Sequence, residues 1–287
     1  MKTNLPKEVD FLQEISNIER IRKIFKNRKH VIIPKPHRHL STKKILVMDF
    51  ERGYPVTDTQ SIARDKLNTK AICTQLSLTF NEMIFKHGFI HSDPHPGNIF
   101  IRPNSHNSYG FDLVLLDNGL YNSLSSRVQL NYSKLWLGVF NADPLMAEQA
   151  CRALGVGRDQ RLFVAMITNQ RYDVVMDKKQ KNLHRRIKGE SGFKEQKREK
   201  QNLALLHRQN ILRCLEKMDR SLILIFKVNN YVSSIDYLLG SPISNYYHTY
   251  KFCFKHYISA ENKLWWWQVL ARYCNYFLNI CLFHYFS

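Results

Sequence analysis

Apolar residues recur at steps of three and four through KEVDFLQEISNIERIRKIFKNR, residues 7 to 28. Val9, Leu12, Ile15, Ile18, Ile21 and Phe25 fall on one face, which predicts an amphipathic helix with Pro6 suited to its first turn. The runs HVIIPKPHRHLS and KKILVMDF follow, rich in β-formers and separated by turn residues, and predict two short strands of a small sheet. ERGYPVTD is a polar connector, and residues 61 to 87 predict one long helix closed by Gly88 in a left-handed cap. FIHSDPHPGNIFIRP and FDLVLLDNG predict a loop and a hairpin. From about residue 124 the pattern is helical, with helices expected over 126 to 140, 144 to 154 and 161 to 169. Gly155-Val156-Gly157 lies between helices, lacks the third glycine of a dinucleotide loop and reads as a helix end.

Composition narrows the setting. The 287 residues are 44% hydrophobic, enough for a sizeable core, and the net charge of +19 points to an acidic partner. The run DKKQKNLHRRIKGESGFKEQKREKQ, 177 to 201, is almost without apolar residues and reads as a solvated loop or helix, with a lipid- or nucleic-acid-binding patch as the alternative. It has little aromatic interleaving for base stacking, so no nucleic-acid partner is expected. The six cysteines form no CxxC pair and are expected to be reduced, mostly buried thiols. The first fifteen residues have no apolar stretch of a secretory signal and carry acids early, unlike a mitochondrial presequence. Residues 264 to 286, LWWWQVLARYCNYFLNICLFHYF, are long enough to cross a bilayer, but Arg272 is costly at mid-span. A packed terminal helix is the first expectation there, an interfacial helix the second.

The chemistry concentrates in HSDPHPGN (91–98) and LVLLDNGL (113–120). Phosphoryl transfer from ATP needs a divalent ion against the phosphates, a carboxylate to steer a nucleophile, and a backbone that approaches closely. Asp93 is the candidate base or orienting group. Asn98 offers a neutral oxygen and Asp117 the hard carboxylate that Mg²⁺ prefers, with Gly97 and Gly119 supplying the tight turns. Separately these are ordinary turn chemistry. In this order, with a helix before and an apolar strand between, they describe a kinase-like nucleotide site.

HGFIHSDPHPGNIFIRP followed by LVLLDNGLY resembles the UbiB family, the aarF-domain-containing atypical kinases. NLPKEVDFLQEISN is similar to that family's ExD motif and helix glutamate, which implies that Glu8 and Asp10 are the ExD pair and that Glu14 faces an ATP-binding lysine. ILVMDFERG resembles the hinge strand, implying nucleotide contacts from Asp49 and Phe50, and NYSKLWLGVFNAD resembles a helical segment of the large lobe. The resemblance, from about residue 4 to about 250, implies catalytic roles for His91 and Asp93 and metal ligation by Asn98 and Asp117. Asp117-Asn118-Gly119 departs from the family's Asp-Phe-Gly or Asp-His-Gly, but the metal ligand survives. The family's KxGQ motif, alanine-rich loop and lysine strand precede the ExD helix. This chain starts at that helix, and Lys2 cannot stand in, so a piece of a longer protein is expected.

The implied fold class is α+β: a protein-kinase-like fold with an incomplete N-lobe of one helix and about two strands over 1 to 58. A mainly helical C-lobe spans 59 to 255, and an aromatic helix 256 to 287. The implied function is an atypical kinase or ATPase that takes Mg²⁺ and ATP and acts in mitochondrial lipid homeostasis and organisation. Its expected partners are a nucleotide and, given the charge, an anionic lipid surface. Two alternatives remain: a catalytically incomplete pseudokinase, scaffold or lipid-binding module, and a small-molecule phosphotransferase of the aminoglycoside or choline kinase type.

Overall fold

The structure is a computed structural model and describes residues 10–168, 171–177, 218–240 and 245–260. Glu8, most of the basic run 177 to 201 and the aromatic segment 264 to 286 lie outside the described residues. The chain divides into two compact units, one of residues 1–123 with 224–245 and one of 124–223 with 246–287.

In the first unit, α1 (Phe11–Ile24) forms where the heptad-like spacing predicts it, and Ile15, Ile18, Ile21 and the following Phe25 are buried. Asp10 caps it: its carboxylate accepts from the Leu12 amide at 3.0 Å. Next come β1 (Val31–Ile32) and β2 (Tyr54–Pro55). The expected strand KKILVMDF is reduced to a single bridge, Pro36 to Met48, with Ile45 and Phe50 in solvent. The His37 and Asp49 amides donate to the Val47 and Lys35 carbonyls at 2.8 and 2.9 Å on either side of that bridge, while Pro34 and Pro36 have no N–H to offer on their outer edge. The expected polar connector instead supplies β2.

The long helix expected over 61 to 87 is two helices, α2 (Thr59–Arg64) and α3 (Thr69–Asn81). Between them Lys66 takes a positive φ of 53°, and Asn68 starts the second helix by accepting from the Ala71 amide. Two local caps outcompete a continuous apolar stripe. A π-helical turn, Glu82–His87, then runs to Gly88, whose φ of 55° is the expected left-handed cap. Glu82 is buried there against Arg28 and Lys86 at 3.0 and 2.6 Å.

The strands that follow position the two motif loops. These are β3 (Phe89–His91), β4 (Ile99–Pro103), β5 (Phe111–Leu115) and β6 (Tyr121–Ser123). One sheet has the order β1-β5-β4-β2, with β1 parallel to β5 and the other pairs antiparallel. Flanked on both sides, β5 is buried along its whole length, as a strand apolar at every position but Asp112 requires. Its Asp112 is neutralised by Arg102 at 2.7 Å. A second sheet pairs β3 with β6, a pairing the sequence reading did not anticipate.

The second unit is helical in its described residues. Helices α4 (Ser126–Phe140), α5 (Pro144–Ala153) and α6 (Gln160–Thr168) match the expected spans to within a residue, and α7 (Tyr172–Val175) is a single turn. Gly155 has a φ of 82° just past the α5 cap, as a helix end should. Helix α8 (Arg220–Leu238) joins the first unit from Leu224 onward, and α9 (Asn245–Ala260) returns to the second. In that unit Tyr250 packs edge-on against Phe140 with centroids 4.8 Å apart. Cys73, Cys151 and Cys253 are buried free thiols; the other three cysteines lie outside the described residues.

Two features yield tests. Gly138 lets α4 and α5 approach so closely that an added Cβ would sit 2.7 Å from the Ala147 amide nitrogen. Gly138→Ala is expected to cost about 1–3 kcal/mol in urea unfolding. Asp236 on α8 is buried beside Cys73, and burial pushes its carboxyl from 3.8 up to about 7. The folded state therefore holds that proton where the unfolded chain has lost it, so the contribution of Asp236 to stability declines as pH rises from 3.8 to about 7. Asp236→Asn should match wild type near pH 4 and exceed it at pH 8 by up to about 4 kcal/mol, read from denaturation midpoints at each pH.

Candidate active site

Loop 92–98 joins β3 to β4, and loop 116–120 joins β5 to β6. Both ends of each loop are tied to the other: His91 pairs with Tyr121 in one sheet, and Ile99 with Leu115 in the other. Two backbone bonds extend these ladders, Ser92 N–H to the Leu120 carbonyl at 2.8 Å and Leu116 N–H to the Asn98 carbonyl at 3.0 Å. The loops have no freedom to separate, so the side chains they carry must converge.

His91 fastens them further. Its Nδ1 accepts from the Asp93 amide at 3.1 Å, which leaves Nε2 to carry the proton and donate to the Asp117 carbonyl at 2.8 Å. Burial holds its pKa below the ordinary value, consistent with this neutral tautomer. Asn98 donates from Nδ2 to Asp117 Oδ2 at 3.0 Å, and the Gly119 amide donates to Asp117 Oδ1 at 3.0 Å. The side chain of Asp93 is 43% exposed, and its Oδ1 lies 2.8 Å from the Lys227 ammonium.

Asn118 takes the place where the resemblance leads one to expect an aromatic or His. It is fully buried and its amide is satisfied: Nδ2 donates to the Leu115 and Leu116 carbonyls, and Oδ1 accepts from the Tyr121 hydroxyl at 3.0 Å. A polar side chain at such depth is tolerated because its donors and acceptor all have partners. The backbone amide of Asn118 donates to Glu14 Oε1 at 3.2 Å. From one turn further along α1, Asn17 donates to the carbonyls of Asn118 and Gly119 at 3.2 and 3.1 Å. Burial raises the Glu14 pKa, the Asn118 hydrogen bond opposes this, and the charge of Asp117 adds to the rise. Among the described residues no Lys or Arg comes within ion-pair distance of Glu14 or Asp117.

The structure thus brings Glu14, His91, Asp93, Asn98 and Asp117 together through recorded bonds. Asp10 is used as the α1 cap, Asp49 pairs with His37 at 2.8 Å, and Phe50 is 88% exposed. Among the described residues no hydrogen bond or ion pair joins these three to the cluster. The sequence reading missed Asn17, Tyr121 and Lys227. Asn17 was open to discovery, because it sits three residues after Glu14 on the same helix face. Lys227 had no local signal at all.

The donor set suits magnesium. The Asp117 carboxylate and the amide oxygen of Asn98 offer hard oxygen atoms, and two such groups would leave positions for phosphate and water, as Mg²⁺ prefers. Among the described residues no group of three or more His, Cys, Asp or Glu is placed to hold a metal by itself.

Residues 1–150 match the profile of the ABC1 atypical kinase-like domain. AarF domain-containing kinase 1 of Drosophila melanogaster is 37% identical over 82% of this chain and 44% of its own length. The AarF domain-containing protein kinase 1 of Mus musculus is 32% identical over 85% of this chain and 45% of its own. The chain therefore spans about half the length of these curated relatives. Among solved structures, the Rv3197–erythromycin complex from Mycobacterium tuberculosis superposes with a TM-score of 0.55 at 14% identity, covering 82% of this chain and 55% of that one. The likeness shows the fold: α+β and protein-kinase-like.

Asn17→Ala removes both bonds that steady the Asn118-Gly119 backbone and leaves two carbonyls short of a donor. The expected loss is about 1–3 kcal/mol, seen as a lower urea midpoint with an unchanged slope.

Proposed function

The chain belongs to the ABC1 atypical kinase-like family, also called AarF or UbiB, and we propose that its site binds Mg-ATP and passes the terminal phosphoryl group to water or a small molecule. The observation that carries this reading is the Asn98–Asp117 contact at 3.0 Å, held beside Asp93 by two paired loops. A metal-ligand pair and a carboxylate for the nucleophile are the two parts that phosphoryl transfer asks of a protein.

Asn98 Oδ1 and the Asp117 carboxylate are the groups that would hold magnesium. When bound, the ion supplies neutralising charge against the phosphate oxygens. His91 fixes the Asp93 backbone relative to Asp117, so both carboxylates keep their spacing. Asp93 orients the nucleophile and accepts its proton. Glu14 marks the N-lobe side of the site. Asp49 and Phe50 are proposed as the hinge contacts to the base; the exposed Phe50 ring is free to cover an adenine. The family also supports a mitochondrial setting and a role in lipid homeostasis, with an anionic lipid surface as a second partner for this +19 chain. No described helix is long and apolar enough to cross a membrane. Family membership favours this reading over the aminoglycoside or choline kinase alternative.

Asp117→Ala tests the assignment without needing a substrate. At about a hundredfold excess over Kd, Mg-ATP should raise the wild-type melting temperature by about 5 °C or more, and Asp117→Ala should abolish the rise. An unchanged rise in the variant would count against the metal site. No rise in wild type would favour the scaffold alternative.

A further inference from the structure

We propose that Lys227 is the phosphate-binding cation of this site, recruited from a distant helix to contact the transferred phosphoryl group. The inference rests on the Mg-ATP reading above and adds a residue to it.

In-line transfer spreads negative charge over the oxygens of the moving group, and the site must supply cations to meet it. Neither HSDPHPGN nor LVLLDNGL contains a Lys or Arg. The local carboxylates, Glu14, Asp93 and Asp117, are all acidic. Lys227 is the described cation that reaches this cluster: its Nζ lies 2.8 Å from Asp93 Oδ1, with both side chains 43% exposed.

Its position is built rather than incidental. Ile225, Val228, Val232 and Ile235 of α8 are buried at three- and four-residue steps, so the apolar stripe fixes which face meets solvent. The contact between Asp236 and Cys73 secures the helix further along. On the face next to the stripe, Tyr231 lies one turn from Lys227, its ring 5.8 Å from the ammonium and edge-on to His95 at 6.0 Å. The Lys227–Tyr231 pair therefore rests on loop 92–98 at two points.

An ammonium has three donors on a flexible stem. Its charge pairs with Asp93 Oδ1 across 2.8 Å, and its donors can turn to phosphoryl oxygens. Asp93 Oδ2 remains available for the nucleophile. In the transfer, the nucleophile's oxygen forms a bond to the terminal phosphorus, the bond from that phosphorus to the bridging oxygen breaks, and ADP departs with the bonding pair. The nucleophile's proton goes to Asp93. Lys227 gives up no proton; it offsets charge and draws the terminal phosphate toward Asp93.

A contact to the terminal phosphate predicts discrimination between a triphosphate and a diphosphate. The 287-residue chain, its Lys227→Ala variant and its Lys227→Arg variant would be titrated calorimetrically with Mg-ADP and with Mg-AMP-PNP, a non-hydrolysable triphosphate. Lys227→Ala should weaken Mg-AMP-PNP by about tenfold and Mg-ADP by less than about twofold, and Lys227→Arg should recover most of the loss. Equal weakening of both nucleotides, or of neither, would overturn the proposal and leave the Mg-ATP reading standing. A wild-type chain that binds neither nucleotide would overturn both. Should Lys227→Ala not fold, Lys227→Gln carries the same comparison, because it keeps the stem and removes the charge.

Discussion

Two strand pairings, His91 with Tyr121 and Ile99 with Leu115, hold loops 92–98 and 116–120 at the same place. The rest of the site depends on this. A loop pinned at one end can swing, whereas a loop whose two ends are both paired to its neighbour cannot leave it. The hydrogen bonds made by His91 and Asn98 then only refine a proximity that the backbone has already imposed. Rigid elements thus carry the cluster and fix its geometry in advance.

The electrostatics follow from that geometry. The chain as a whole is strongly basic, yet the place where the loops meet is acidic, with Glu14, Asp93 and Asp117 close together. Burial and mutual repulsion make such a cluster costly unless a cation offsets it. Asn118 removes another source of variation. Its side-chain amide and backbone are engaged by Leu115, Leu116, Tyr121, Glu14 and Asn17, which fixes the turn after Asp117. An aromatic residue at that position would have no such hydrogen bonds to hold it, and the Asn does by polarity what a ring does by packing.

Legibility varied with the kind of signal. Helices α4, α5 and α6 were readable to within a residue because the helical period and the helix end at Gly155 agree with one another, and the Ser125 and Asp143 side chains cap α4 and α5 where the pattern begins. The helix expected over 61 to 87 failed at Asp65–Asn68, where Lys66 turns to a positive φ and the Asn68 side chain opens a second helix in the middle of a continuous apolar stripe. Period alone does not register such a cap. The run KKILVMDF has strand composition but pairs with its neighbour only around Met48, and strand pairing is a property of both partners. β6 is three residues long and reads as the end of a turn until β3 is found beside it. The motif residues were visible as a group because their types and order are specific. Their use was less visible: Asp10 caps a helix, and Glu14 accepts from the Asn118 backbone amide.

The sequence by itself determined which candidate residues stand together in the two motif loops, the family they resemble, the amphipathic face of α1 and the helical run of the second unit. These are read from local spacing, and local spacing is fixed by the covalent chain. The tertiary structure alone decided that β3 and β6 close the loops on each other, that Asn17 reaches back to the turn after Asp117, and that Lys227 comes to lie on Asp93. Each of those contacts joins residues about 30 to more than 130 positions apart, and burying the apolar faces of α1 and α8 is what selects them. No pattern along the chain records where a packed helix will set down its solvent-facing side chains.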